Sequence, residues 1–283
     1  MRKILLIVIG MIFIIVIAIV LFLLNRDINN NDSNNNLNNK ENSGSVTNSD
    51  VEENDFKIDL VYHSAEGRDI HYSAYIPDNI DNLDSVSMFI TLPGWEGLYF
   101  QGVGVNLEYE DFAFTARNIN PNMIILAPQL DDWGEQSAKD TIALTEYYQN
   151  TYNIDKTYIE GYSGGGETLS LVLDENASLY DSAMMVSSQW DGGYDSVIEE
   201  EIPLYFFIGE DDDYYGSTNF KETYQELYDL HVEKGLSKNQ IDDILILDVR
   251  DENYFSNHGY SSQHAGGGEV AHEENIMEWL LTR

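Results

Sequence analysis

The sequence predicts an α/β domain, a doubly wound and mostly parallel sheet of about eight strands with helices on both faces. Three observations carry that prediction. Continuous apolar runs of strand length recur, at Met88-Phe89-Ile90, Met123 to Leu126 and Leu204 to Ile208, and Ile244 to Val249 is apolar but for Asp248. A strand that is apolar on both sides needs cover on both faces. Candidate helices lie between and after these runs, near 108–117, 137–152, 166–173, 219–234 and 269–281. Alternation of strand and helix is the pattern of parallel crossover units. Lastly, Gly161-Tyr162-Ser163-Gly164-Gly165 joins a strand-like run, Thr157 to Glu160, directly to a helix-like run, Glu167 to Leu173.

Taken from the amino terminus, the first segment stands outside that domain. Arg2 and Lys3 precede 21 uncharged residues, Ile4 to Leu24. As a helix this stretch would be about 31 Å long, enough to cross a bilayer core. It has no polar face, which a buried core helix of a soluble domain would show. A cleaved signal peptide has a shorter apolar region of about 7–15 residues and a small-residue cleavage site, and no such site is evident. Residues 1–24 are therefore expected to be an uncleaved signal anchor. The protein would then be single-pass in the cell membrane, with the basic end cytoplasmic and everything after Asn25 extracytoplasmic. Secretion after signal cleavage is the alternative. Residues 25–55 contain twelve Asn and almost nothing apolar. Such a segment cannot bury enough surface to offset chain entropy and is expected to be a disordered tether. Residues 56–283 then form one α/β domain.

Composition narrows the chemistry. With no Cys in the chain, disulfides, thiolate metal sites and a cysteine nucleophile are excluded. The net charge is −36; removing +2 for residues 1–24 and −5 for residues 25–55 leaves −33 on the domain. A surface this acidic repels nucleic acid and anionic substrates and favours neutral or cationic small molecules. It also keeps a protein soluble without any partner.

The domain opens with two alternating runs. Phe56, Ile58, Leu60 and Tyr62 are followed by Ile70, Tyr72, Ala74 and Ile76, across Glu66-Gly67-Arg68. These read as a half-buried hairpin. The Gly161-x-Ser163-x-Gly165 pentapeptide is the pattern of a nucleophile elbow. The strand-to-helix turn is so tight that the flanking positions must be small, and the serine takes a strained backbone conformation that projects its hydroxyl. A hydroxyl attacks a carbonyl only when a base takes its proton, and that base needs a carboxylate to orient it. Both partners occur in order after later strands. Pro203 to Gly209 empties into Glu210-Asp211-Asp212-Asp213, and the run ending at Val249 is followed by His258, His264 and His272. Asp211, Asp213, Gly216 and Glu222 also match positions 1, 3, 6 and 12 of a calcium loop. Tyr215 stands where that loop needs an oxygen ligand, and a strand precedes it instead of a helix. Neither a metal nor a cofactor is expected.

The element order, the elbow at Ser163, and the acidic and histidine loops resemble the α/β-hydrolase fold over essentially all of residues 56–283. Within it the chain resembles the small secreted esterases and the catalytic domains of prolyl-oligopeptidase-like enzymes. The terminal Glu273 to Leu280 resembles their closing helix. The resemblance implies Ser163 as nucleophile. It implies Asp212 as the acid, three residues after the strand-ending glycine, with Asp211 and Asp213 as alternatives. It implies His264 as the base in its glycine-rich turn, with His258 and His272 as alternatives. It implies Gly164 as one oxyanion donor. Leu92-Pro93-Gly94-Trp95-Glu96-Gly97 stands in the place of the family's His-Gly loop, and the resemblance implies Trp95 as the second. Only about fifteen residues, Ser187 to Pro203, stand where such enzymes carry a lid, so any lid is minimal. The activity implied is hydrolysis of a carboxylic ester, or of a small peptide by the same machinery. A catalytically silent binding module on the same fold is the reading from another class.

Overall fold

The computed structural model describes residues 44–283. The expected anchor over residues 1–24, and the tether as far as residue 43, lie outside the described residues. Among the described residues, no helix is long and apolar enough to cross a membrane.

Ten strands form one sheet in the order β1-β3-β4-β6-β5-β7-β8-β9-β10, with β2 beside β3. They are β1 (Ser45–Thr47), β2 (Glu52–Glu53), β3 (Phe56–His63), β4 (Asp69–Tyr75), β5 (Val86–Leu92), β6 (Ile124–Pro128), β7 (Ile154–Tyr162), β8 (Ser182–Val186), β9 (Leu204–Gly209) and β10 (Leu245–Arg250). The antiparallel β3–β4 pair is the predicted hairpin, and β4 joins β6 antiparallel. From β6 to β10 every pairing is parallel. Strands β3 to β10 make up the expected eight.

The apolar runs are explained by where alternate residues go. In β5, Met88, Ile90 and Leu92 join one core and Phe89 the other; in β9, Leu204, Phe206 and Ile208 divide in the same way from Tyr205 and Phe207. Each face of the sheet buries its own layer under helices. Those helices are α1 (Asn106–Tyr109), α2 (Phe112–Ile119), α3 (Glu135–Thr151), α4 (Gly164–Asn176), α5 (Asp195–Glu200), α6 (Thr218–Lys234), α7 (Lys238–Ile244), α8 (Glu252–Asn257) and α9 (Glu274–Leu281).

Three expectations need correction. The sheet does not begin at Phe56. Ser45–Thr47 pairs antiparallel with residues 61–63 of β3, and Glu52–Glu53 with Phe56 and Lys57. An edge strand needs only backbone partners on one side, so the poverty of apolar residues that suggested a tether did not preclude it. The helix expected over 108–117 is two helices, interrupted at Glu110, whose backbone is extended at φ −135° and ψ 124°. The last helix is likewise two pieces, a 3-10 segment over Gly267–His272 and then α9. Helices α5, α7 and α8 were not anticipated. They are short, and α7 and α8 are fixed by caps. Ser237 and Gln240 form a capping box on α7, and the Asp251 carboxylate accepts from the N–H groups of Asn253 and Tyr254 on α8.

The topology selects one place on the sheet. Strand β5 lies between β6 and β7, so the chain winds outward in opposite directions from the β5/β7 pair. In open α/β sheets a crevice forms beyond the carboxyl ends of the strands at such a switch point. Gly94 and Trp95 follow β5 there, and Ser163 follows β7.

Candidate active site

Ser163 sits between β7 and α4 with φ 53° and ψ −124°. A residue with a side chain occupies that region only when its surroundings enforce it. They do so here through backbone contacts. The Ser163 N–H donates to the Val186 carbonyl at 2.9 Å, and its own carbonyl accepts from Gly166 N–H at 2.9 Å and from Ser188 Oγ at 2.5 Å. The turn leaves no room beside it. A Cβ at position 161 would fall 2.4 Å from the Gly165 carbonyl oxygen, and one at position 165 would fall 2.1 Å from that of Leu92.

The hydroxyl heads a chain of hydrogen bonds. Ser163 Oγ is 3.0 Å from His264 Nε2, and His264 Nδ1 is 3.1 Å from Asp212 Oδ2. The Asp212 side chain is wholly buried. Its Oδ1 accepts from the N–H groups of Tyr214 at 3.0 Å and Tyr215 at 2.9 Å. Burial alone would raise its pKa. The hydrogen bonds from His264 and those two amides outweigh burial and hold the carboxyl below its ordinary 3.8. A carboxylate on Nδ1 fixes the tautomer with Nε2 free to accept the serine proton. The imidazole is also held by stacking on Tyr214 at 5.1 Å and Tyr162 at 5.9 Å, and by the Tyr162 hydroxyl, which donates to the His264 carbonyl at 2.8 Å.

The other candidates lie elsewhere. His258 caps α8, with Nδ1 on the Tyr254 carbonyl at 2.7 Å. His272 stands at the cavity rim with Nε2 3.2 Å from Asp111 Oδ2. Asp213 accepts from Ser262 Oγ at 2.8 Å and from the His264 N–H at 3.1 Å, bracing the histidine loop through its backbone. Asp211 donates its N–H to Gln263 Oε1 at 2.9 Å, and its carboxylate faces solvent. Among the described residues no group of three or more His, Asp or Glu is disposed to hold a metal ion.

Gly164 and Trp95 both begin helical turns next to Ser163. Gly164 opens α4, and Trp95 opens a 3-10 turn after β5. A Cβ at Gly94 would lie 3.3 Å from Ser163 Cβ, so the Gly94–Trp95 peptide runs directly beside the serine. Neither the Gly164 nor the Trp95 N–H donates to a described protein acceptor. Both stay available to an oxygen atom at Ser163.

Two buried carboxyls behind this loop escaped the sequence reading. Glu110, at the break between α1 and α2, accepts the Gly94 N–H at 2.8 Å. Glu160 in β7 accepts from Thr91 Oγ1 at 2.8 Å, while its other oxygen is buried without a partner. Burial pushes Glu110 up to about 8, against the Gly94 hydrogen bond and with help from Glu96. Burial and the nearby Glu110 push Glu160 well up too. Glu160 had a signal, a charged residue at the end of a strand expected to be buried. Glu110 had none, since Glu108-Tyr109-Glu110-Asp111 reads as the solvated face of a helix.

The sign of the resulting pH dependence follows from linkage. A carboxyl whose pKa is raised on folding favours the folded state fully below its unfolded pKa, and that contribution drains away as pH rises toward the folded value. Glu110 should thus cost stability steadily between about pH 4.5 and pH 8. The loss is about 1.4 kcal/mol for each pH unit crossed in that window. Glu110→Gln keeps an acceptor for Gly94 and removes the proton. Thermal melts should show its Tm close to the parent's at pH 4 and above it at pH 8.5. Equal melting temperatures at both values would mean that Glu110 ionises freely in the fold.

A cavity of about 480 Å³ opens over Ser163 and His264, walled by Trp95, Trp133, Tyr162 and Tyr215. The Tyr215 hydroxyl donates to Glu167 at 2.7 Å, tying the acid loop to the first turn of α4.

No protein-family model and no curated protein sequence matches the chain. Solved structures do. A thermostable esterase superposes with a TM-score of 0.63 at 20% identity, over 80% of this chain and 62% of that one. Est1E from Butyrivibrio proteoclasticus superposes with a TM-score of 0.51 at 12% identity, over 77% of this chain and 97% of that one. Oligopeptidase B from Leishmania major superposes with a TM-score of 0.50 at 14% identity, over 80% of this chain and 36% of that one. The chain thus spans less than two thirds of the thermostable esterase and about a third of the oligopeptidase. Sheet order, elbow and superposition agree: this chain has the α/β-hydrolase fold.

Proposed function

We propose that the protein is a serine hydrolase acting on carboxylic esters through an acyl-enzyme. The observation that carries this reading is the continuous chain Ser163 Oγ, His264, Asp212. In the proposed reaction Ser163 Oγ attacks the acyl carbon while its proton passes to His264 Nε2. The carbonyl oxygen gains the electron pair and is held by the N–H groups of Gly164 and Trp95, each worth about 2.7–4 kcal/mol in the transition state. Collapse expels the alcohol, which takes the proton from His264 and leaves the acyl group on Ser163. Water then enters, and its oxygen bonds the acyl carbon as one of its protons passes to His264 Nε2; collapse breaks the bond to Ser163 Oγ, which recovers that proton from His264 and releases the acid.

The same steps with an amine leaving group describe a peptidase for small peptides. Esters come first in the proposal because an alcohol departs more readily than an amine. The apolar stretch Ile4 to Leu24 supports a further part of the reading, that the domain is tethered outside the cell membrane. Protease accessibility on intact cells tests that part by itself.

A fluorophosphonate probe tests the activity. The full-length protein should take the label and Ser163→Ala should not. Rates on short p-nitrophenyl esters should exceed those on aminoacyl anilides; the reverse order would make the protein a peptidase. A native protein that takes no label sinks the enzyme reading and leaves a binding module on this fold.

A further inference from the structure

We propose that the cavity beside Ser163 is an organic-cation subsite, so that the ester it takes carries an alkylammonium group held by aromatic faces and rim carboxylates. The proposal rests on the serine-hydrolase reading and names its substrate class.

The first observation is where exposed aromatic surface collects. Eight large apolar or aromatic side chains are exposed among the described residues, and Trp95, Tyr109, Tyr214 and Tyr260 of these eight line this one cavity. Single exposed rings need no explanation, whereas a cluster in a cleft marks a binding surface. Two of these rings, Trp95 and Tyr214, are also held in place. Trp95 is braced edge-on by Phe100 at 5.0 Å and lies 5.9 Å from Trp133, and Tyr214 leans on the His264 ring. A site whose rings are already ordered loses little entropy on binding.

Charge is the second observation, and it is independent of the first. Glu96, Asp111 and Glu269 line the same cavity, while no Lys or Arg does. Neither Glu96 nor Glu269 has an ion-pair partner among the described residues; Asp111 faces His272. Beyond the rim, the chain as a whole carries −36. A neutral aromatic ligand would use the rings and gain nothing from the carboxylates, and an anion would be repelled by them. An alkylammonium group uses both, through attraction to ring faces and to the negative field of the cleft.

The test is a pair of esters of equal shape and different charge, acetylthiocholine and its carbon isostere 3,3-dimethylbutyl thioacetate, turned over by the full-length protein in neutral detergent. At low ionic strength kcat/KM should be at least tenfold higher for the cation, and added salt should shrink that ratio. Glu96→Gln and Glu269→Gln should each lower the cationic rate severalfold and leave the neutral ester unchanged, and Tyr109→Leu should lower the cationic rate by a larger factor than the neutral one. A ratio near one with both esters consumed, or a ratio indifferent to salt and to these variants, overturns the subsite. Should neither ester be consumed, phenyltrimethylammonium should still slow fluorophosphonate labelling of Ser163 more than tert-butylbenzene does; equal protection overturns the subsite. A protein that never takes the label overturns the hydrolase reading itself, and the two failures are therefore told apart. Replacing the trimethylammonium by a primary ammonium in the same ester then separates a choline-like from a lysine-like source for the group.

Discussion

Ser163→Ala and His264→Ala are each expected to lower kcat on a p-nitrophenyl ester by about 10⁵–10⁶-fold, and the double variant should lose no more than either alone. The reason is the single hydrogen bond that joins them, 3.0 Å from Oγ to Nε2. Without the imidazole the hydroxyl keeps its proton, and without the hydroxyl the imidazole has nothing to deprotonate. Each loss therefore removes the same step. What remains should be the contribution of the two backbone donors, Gly164 and Trp95, about 10³-fold over water in related machinery. His258→Ala and His272→Ala serve as controls, because one imidazole caps a helix and the other faces Asp111. Both should stay within a few-fold of the parent. Steady-state kinetics decides the matter: effects of Ser163→Ala and His264→Ala that add would show that the two side chains act separately, and the proposed relay would be wrong.

These assignments show what the sequence could reveal. Period and composition marked the strands, because alternate residues of β5 and β9 feed two different cores, so that both faces carry apolar side chains. The elbow was legible for a steric reason. A side chain at 161 or 165 would overlap a backbone oxygen, and that requirement is written in two glycines. The acid and histidine loops were legible as places, being the ends of successive strands. Which member of each loop turns inward was indicated only by the resemblance, since Asp211, Asp212 and Asp213 are chemically identical. Their difference is set by the turn after β9, which hands the amides of Tyr214 and Tyr215 to Asp212 alone. Edge strand β1 was missed because its partners are backbone groups, which leave no mark on composition. Glu110 was missed because its burial depends on a break between two helices that local pattern presented as one.

Replacing Asp212 by asparagine is expected to cost about 10⁴-fold in kcat with KM little changed. The geometry dictates the sign. Oδ1 already accepts two backbone N–H groups, from Tyr214 and Tyr215. In Asp212→Asn the amide oxygen must take that position, since an NH₂ there would oppose two donors. The NH₂ is then turned toward His264 Nδ1, which can meet it only as an acceptor. The proton of the neutral imidazole moves to Nε2, the atom that must be free to receive the serine proton. The fold should survive, since the amide keeps the two backbone hydrogen bonds and neutralises a buried charge. Asp213→Asn differs in kind. Its carboxylate holds Ser262 and the backbone N–H of His264. Its loss loosens the loop without changing the tautomer, for a cost of about tenfold or less. Asp211→Asn should be silent, because its carboxylate faces solvent. Because the Asp212 carboxyl is held below 3.8, it stays charged throughout the neutral range, and the pH–rate profile of the parent should carry no inflection from it above about pH 4. The measurement is kcat and KM for the three variants on one ester, with the imidazole tautomer read by ¹⁵N NMR. An Asp212→Asn enzyme within tenfold of the parent, or one whose Nδ1 still carries the proton, would remove Asp212 from the relay and leave Asp213 as the next carboxylate to test.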